Sequence, residues 1–379
     1  MSGRMSEKGY KADIKSLNGN EAVAHSVHSV GVDLIPIYPI TPQTEIGEFL
    51  SAFEKEKVIE MESEHSVMMF ALGVSLAGGR TFTATSSQGL LYMSECLPYV
   101  SGARAPIVMA VSNRVFALPW SIESDFSDSF YERDSGWLQI CCKNAQEVYD
   151  YIIKAYRIAE SVNLPVMINL EGFYLSHTKE RVETNAIEDI KKFVGKYNPK
   201  YKLDVTKPYT FAGQGLGENY AKFKHIMSTA MEKSEDIIKT VSKDYSKKFG
   251  RTQSDLIEVK KPESKNYIVC YGYISNLIEC LISNLKDWGM IRVVSFRPFP
   301  QSEIQRALHK TENVVVIDNT YSVGGGGVVF KEIDGLIGTK KSSIIAGVGG
   351  ETVSLNKLKF FIEKCAKHSP IKEVWYQDV

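Results

Sequence analysis

Three side chains in the first third of the chain have the types and settings that chemistry requires: Thr41, Glu64 and Arg114. Glu64 lies in Glu60-Met61-Glu62-Ser63-Glu64-His65, directly before the apolar run that continues to Val74. A helix apolar on most of its sides is buried, so Glu64 is expected at the mouth of a buried helix. The helix dipole favours its charge, whereas desolvation favours its proton. A buried acid that exchanges a proton is a usable catalyst. The same spacing suits a helix-start glutamate that bonds backbone N–H groups, a part Glu60 or Glu62 could equally fill.

Thr41 stands in Tyr38-Pro39-Ile40-Thr41-Pro42-Gln43-Thr44, between two prolines that stiffen the chain and bias their preceding residues towards extended backbone. Its hydroxyl can be offered to a ligand at little entropic cost; a rigid turn capped by threonine is the alternative. Arg114 follows the apolar run 107–111, and a guanidinium there can hold a carboxylate in bidentate fashion. Alternatively it pairs with Asp125, Asp128 or Asp134 to pin the loop. A further polar stretch, Ser86-Ser87-Gln88-Gly89, is small enough for close backbone approach to a ligand or to a neighbouring strand.

The elements that must position these residues alternate. Short apolar runs at 34–38, 57–61, 80–85, 106–112 and 165–170 read as strands, and 43–54, 65–78, 89–102 and 145–162 as helices. Near-continuous apolar strands separated by helices imply a parallel sheet covered on both faces. Ligands of such sheets sit beyond the carboxyl ends of the strands, where the polar loops above converge. Asn18 and Asn144 suit helix caps. His25 and His28, three apart on the first helix, lack further ligands at metal spacing and read as packing or surface groups.

From 113 to 144 the rhythm breaks into a long polar loop, which marks a functional or contact segment. From 181 to 265 lysine and glutamate dominate, and 218–249 carries one apolar stripe at helical spacing, as expected of a connector or arm packed on a neighbour. A second α/β unit follows, with strands expected at 267–272, 291–296, 313–318 and 343–347. Trp288-Gly289 is expected to end its first helix. Tyr321-Ser322-Val323-Gly324-Gly325-Gly326-Gly327 offers a phosphate cradle or a tight crossing of helix and sheet; Val329 breaks the Gly-x-Gly-x-x-Gly pattern. The domains are therefore read as 1–180, a connector 181–265, and 266–379.

Composition sets the outer bounds. The 379 residues balance 45 Lys+Arg against 45 Asp+Glu, so no net field draws the chain to nucleic acid or to an anionic membrane. No apolar run reaches membrane-spanning length, and Met1–Lys15 has no signal-peptide core, which points to the cytoplasm. The six cysteines include no Cys-x-x-Cys and read as free thiols.

In order along the chain, Tyr-Pro-Ile-Thr-Pro at 38–42, Glu-Ser-Glu-His at 62–65 and Thr-Ala-Thr-Ser-Ser-Gln-Gly at 83–89 resemble the alpha subunit of the 2-oxoacid:ferredoxin oxidoreductases, above all the pyruvate synthases. The likeness continues through Val111–Arg114, Arg133–Trp137, Gly172–His177 and Phe296–Pro300, and is loose between 180 and 265. It implies a thiamine-diphosphate pyrimidine-binding fold followed by a transketolase C-terminal-like fold. It implies decarboxylation of a 2-oxoacid such as pyruvate on thiamine diphosphate, with acyl transfer to coenzyme A and electrons passed to ferredoxin.

Residue by residue, Glu64 matches the glutamate that touches the aminopyrimidine ring, Thr41 the threonine that meets the substrate, and Arg114 the arginine that receives the 2-oxoacid carboxylate. Pro39, Ser87 and Gln88 are expected to share in holding the cofactor. No Gly-Asp-Gly occurs, so the diphosphate and its Mg²⁺ are assigned to a beta subunit, and the 4Fe-4S clusters to partners including gamma and ferredoxin-like delta chains; no metal is expected on this chain. Two departures, at Ser124–Asp128 and at 207–213, leave a branched-chain 2-oxoacid open as the substrate, and a non-catalytic scaffold is the remaining alternative.

Overall fold

The computed structural model describes residues 13–208, 210, 211, 213–368 and 370–378. Most of the Met1–Lys15 segment, and Tyr209 and Ala212 of the 207–213 run, lie outside the described residues.

Strands Phe82–Thr85, Val108–Asn113, Val166–Glu171 and Leu138–Cys141 form a parallel sheet and are buried along their whole length. Strands Ile35–Ile37 and Val58–Glu60 pair in parallel beside it, linked through a Leu34–Thr81 bridge. Alternation divides the side chains between two cores. Val108, Ala110, Val166, Ile168 and Leu170 pack under helices Gly19–Val30 and Ala145–Val162. Met109, Val111 and Met167 face helices Glu64–Leu76, Ser87–Met93 and Leu97–Gly102 on the other side. A covered parallel sheet is thus what the apolar runs specify.

The local signals explain the helix ends. Asn18 accepts from the Glu21 N–H at 2.8 Å while the Glu21 carboxylate accepts from the Asn18 N–H at 2.8 Å, a reciprocal capping box. Asn144 caps its helix through the Glu147 N–H, and Asn163 ends that helix in the left-handed region. His25 and His28 lie against the Phe53 ring. The single helix expected over 89–102 is instead two, Ser87–Met93 and Leu97–Gly102, with Pro98 in the first turn of the second. Proline lacks the N–H to continue a helix and suits its start.

The second sheet runs in the order Val374–Trp375, Lys340–Ile345, Asn313–Asp318, Asn266–Tyr271, Trp288–Val293 and Ile257–Lys260, antiparallel only at the last. Trp288-Gly289 does not end a helix. The helix stops at Ser283, and Trp288 opens a strand in which Gly289 packs so closely on the Lys261 carbonyl and the Tyr267 ring that no side chain fits. Residues 321–327 form a tight hairpin, and the N–H groups of Val329 and Phe330 that would serve a phosphate donate to Asp318. Among the described residues no helix is long and apolar enough to cross a membrane.

The two sheets share backbone and core. After Val293 the chain crosses into the first sheet, where Ser295–Arg297 pairs with Leu138–Cys141. Arg292, fully buried, donates to Glu147 of the first unit and to Glu258. The irregular 113–144 segment has its reason here: Phe126, just before the short Ser127–Tyr131 helix, and Phe130 within it pack on Tyr271 and Phe296 of the second unit. Residues 181–265 supply a strand at Glu180–Thr184 paired with Asp13–Leu17, the Ile257–Lys260 strand, and the long helix Glu218–Phe249.

Candidate active site

Glu64 is the first residue of its helix, capped by Ser63, and is 7% exposed. Burial pushes its carboxyl pKa up, and its own backbone N–H opposes that shift. Its Oε1 lies over Gly89: a Cβ added there would meet Glu64 Oε1 at 2.5 Å and Thr85 Oγ1 at 2.6 Å. Only glycine lets the carboxyl settle on the turn that follows the Phe82–Thr85 strand. Thr85 Oγ1 is buried without a partner, a free hydroxyl beside that acid.

Arg114 is 6% exposed, at the end of the Val108–Asn113 strand. Its guanidinium donates to the Thr41 carbonyl at 2.7 Å and to Gln88 Oε1 at 3.0 Å, and its Nε is buried without a partner. Both acceptors are neutral, and among the described residues no carboxylate pairs with it. Burial pulls its pKa down, although arginine keeps its charge. The expected alternative, a loop-pinning ion pair, is not formed. Asp128 accepts the Arg114 backbone N–H rather than the guanidinium, and Asp134 lies beside Arg133. A buried cation with spare donors is a receptor for an anion.

The three loops read from the sequence therefore meet. Arg114 touches Thr41 on one side and Gln88 on the other, and Gln88 adjoins the glycine on which Glu64 rests. Thr41 and Pro39 are exposed on the first loop. Ser87 differs from a free ligand group: it is buried at positive φ, and its hydroxyl is engaged by Gln88 Oε1 at 2.6 Å and the Val115 carbonyl at 2.5 Å. Within 124–128, Phe126 packs into the core between the units. The helix behind Glu64 is covered along one face only; Met69 and Gly73 are exposed on the other, contrary to the burial expected of so apolar a run.

Sequence reasoning missed the groups that hold these loops. Asp128 figured only as an arginine partner. Glu171, at the end of its strand, accepts from the Tyr273 N–H and from Asn319 Nδ2, tying the carboxyl ends of the two sheets together. Burial raises its pKa to about 8. Little local marks either residue, since most of their donors come from other elements.

A buried, protonatable carboxyl and a buried guanidinium with spare donors thus stand at the carboxyl edge of a parallel sheet. Residues 25–243 match the family described as pyruvate flavodoxin/ferredoxin oxidoreductase, thiamine diphosphate-binding, and residues 264–358 match pyruvate:ferredoxin oxidoreductase core domain II. The chain belongs to the pyruvate flavodoxin/ferredoxin oxidoreductase family. It is 36% identical to the pyruvate synthase subunit PorA of Methanocaldococcus jannaschii, over 96% of this chain and 97% of that one. It is 34% identical to the ketoisovalerate oxidoreductase subunit VorA of Pyrococcus abyssi, over 94% and 95%. In fold it resembles the solved 2-oxoglutarate:ferredoxin oxidoreductase from Magnetococcus marinus, with a TM-score of 0.73 at 17% identity, covering 93% of this chain and 65% of that chain.

The residues present fit the pyrimidine half of the family's cofactor. A carboxyl whose pKa burial raises and an unpartnered Thr85 hydroxyl both border Gly89.

Proposed function

We propose that this chain is the alpha subunit of a 2-oxoacid:ferredoxin oxidoreductase acting on pyruvate, completed by a beta subunit that binds the diphosphate and Mg²⁺. Gamma and ferredoxin-like delta subunits carry the 4Fe-4S clusters, and the complex works in the cytoplasm with coenzyme A and ferredoxin. The observation that carries the reading is the Arg114 guanidinium, buried and without a carboxylate, at the junction of the Thr41, Gln88 and Glu64 loops. The absence of Gly-Asp-Gly and Cys-x-x-Cys from the sequence supports assigning metal and clusters to partners.

Thiamine diphosphate supplies the carbanion chemistry that decarboxylation of a 2-oxoacid needs. Glu64 holds a proton at its carboxyl next to the pyrimidine, and burial favours that protonated form. Arg114 binds the substrate carboxylate through donors that no anion of this chain occupies. Thr41, exposed beside it, offers a hydroxyl to the substrate, and Pro39 and Gln88 border the cofactor.

The test is the complex reconstituted with its partner subunits and assayed for 2-oxoacid-dependent ferredoxin reduction. Arg114→Ala should raise the KM for pyruvate about tenfold or more, as expected when a charged hydrogen-bond donor is lost. An unchanged KM excludes carboxylate recognition. The VorA relatives, at 34% identity against 36% for PorA, favour 2-oxoisovalerate as the second reading; a higher kcat/KM for it than for pyruvate, measured side by side, selects that substrate.

A further inference from the structure

We propose that Asp128 is a positioning residue: its carboxylate locks the Arg114 loop to the Ser87–Gly89 turn and so fixes the guanidinium where the substrate carboxylate binds. The inference rests on the reading of Arg114 given above.

Asp128 is fully buried in the short Ser127–Tyr131 helix. Each oxygen takes two N–H donors, and none of the four is a cationic side chain. Oδ1 accepts from Asn113 Nδ2 at 2.7 Å and from its neighbour's Ser129 N–H at 2.7 Å. Oδ2 accepts from the Ser87 N–H at 2.9 Å and the Arg114 N–H at 3.0 Å. Those two amides belong to loops on adjacent parallel strands, in which Thr85 registers with Val111. Strand pairing ends there, so one carboxylate oxygen replaces the missing ladder bond. The side chains are cross-tied in the same place, because Gln88 Oε1 accepts both from Ser87 Oγ and from Arg114. The Ser87 backbone so held is at φ 46°, a conformation that needs support from its surroundings. The arrangement sets position, since Asp128 holds Arg114 by its backbone N–H while the guanidinium keeps donors, its Nε among them, that no carboxylate takes.

An asparagine at 128 keeps the shape and loses one acceptor. Whichever way its amide turns, its NH₂ faces two N–H donors, either those of Ser87 and Arg114 or those of Asn113 and Ser129. Unpaired buried donors displace the loops.

The experiment uses the reconstituted holocomplex. Asp128→Asn should raise the KM for the 2-oxoacid about tenfold while kcat stays within about threefold, because ground-state positioning is what is lost. Thiamine diphosphate content and subunit stoichiometry should match wild type. An unchanged KM, or a fall in kcat at constant KM, overturns the proposal. If the variant does not assemble, the wild-type complex decides. Burial against four donors sets the Asp128 pKa at about 6, so its KM should rise severalfold between about pH 7.5 and about pH 5.5. The charged groups facing Asp128 are Arg114, which does not titrate there, and Glu132, whose pKa burial also raises. The rise should therefore persist in Glu132→Gln, and a KM flat with pH, or a rise lost in Glu132→Gln, overturns the role. A wild-type complex that oxidises no 2-oxoacid, or an Arg114→Ala variant with normal KM, sinks the underlying reading instead; sensitivity to Arg114 with indifference to Asp128 sinks the positioning role alone.

Discussion

Glu64 and Gly89 act as a pair at the residue scale. The carboxyl rests where any β-carbon on residue 89 would stand, so the acid's place depends on glycine there. Glu64→Gln keeps volume and removes the exchangeable proton; turnover of the assembled complex should fall at least ~100-fold, the usual scale of general acid–base catalysis, with assembly intact. Near-normal activity would remove the catalytic role. Gly89→Ala should also lower turnover, by pushing Glu64 and Thr85 aside. It should cost about 1–3 kcal/mol of stability, the range for overpacking, read by denaturant titration. Full activity in that variant would show that the turn yields without moving the acid.

Among the elements, the long Glu218–Phe249 helix carries one apolar stripe with two fates. Its second half buries Ile238, Val241, Tyr245 and Phe249 against the first unit. Its first half leaves Tyr220 57%, Phe223 60% and Ile226 53% exposed. The periodicity is the same throughout, so the sequence predicts the helix and not which half is covered. Ile238→Ala should cost about 2–5 kcal/mol of stability in the isolated chain, as for buried large-to-small changes. Ile226→Ala, on the exposed half, should stay within about 0.5 kcal/mol. Equal losses in urea titrations of the two variants would show the stripe covered along its full length.

For the whole molecule, the junction between sheets sets a pH dependence. Glu171 has its pKa raised to about 8 and Asp318 to about 7, both by burial. Their carboxyls are therefore protonated when folded at pH values where the unfolded chain has released those protons. The folded state binds more protons, so stability falls as pH rises through that range. The melting temperature should drop between about pH 6.5 and about pH 8, and Glu171→Gln should flatten the slope, measured by calorimetry of the purified chain. A melting temperature that climbs over that interval would show that the carboxyl is charged in the fold.

How much of this could be read beforehand depends on the range of the interactions. Asn18 and Asn144 announce helices because a cap and its donors lie within one turn. The strand ending at Asp318 was legible from apolar content alone. The strand from Trp288 was not, since a strand partner decides so short a segment, whereas the helix break before Leu97 carries a local mark in Pro98 that the apolar run overrode.

The amino-acid order by itself determined the alternation of elements, the order of the Thr41, Glu64 and Gly89 loops, and the location of the arginine at a strand end. These follow from local periodicity and from motifs contiguous in the chain. Only the tertiary structure decided that Arg114 goes without an anion and that Asp128 binds backbone instead. It alone decided that Glu171 joins the two sheets, and that half of the long helix lies bare. Those outcomes depend on which donors and acceptors, tens to more than a hundred residues apart, arrive within about 3 Å of one another, the reach of a hydrogen bond.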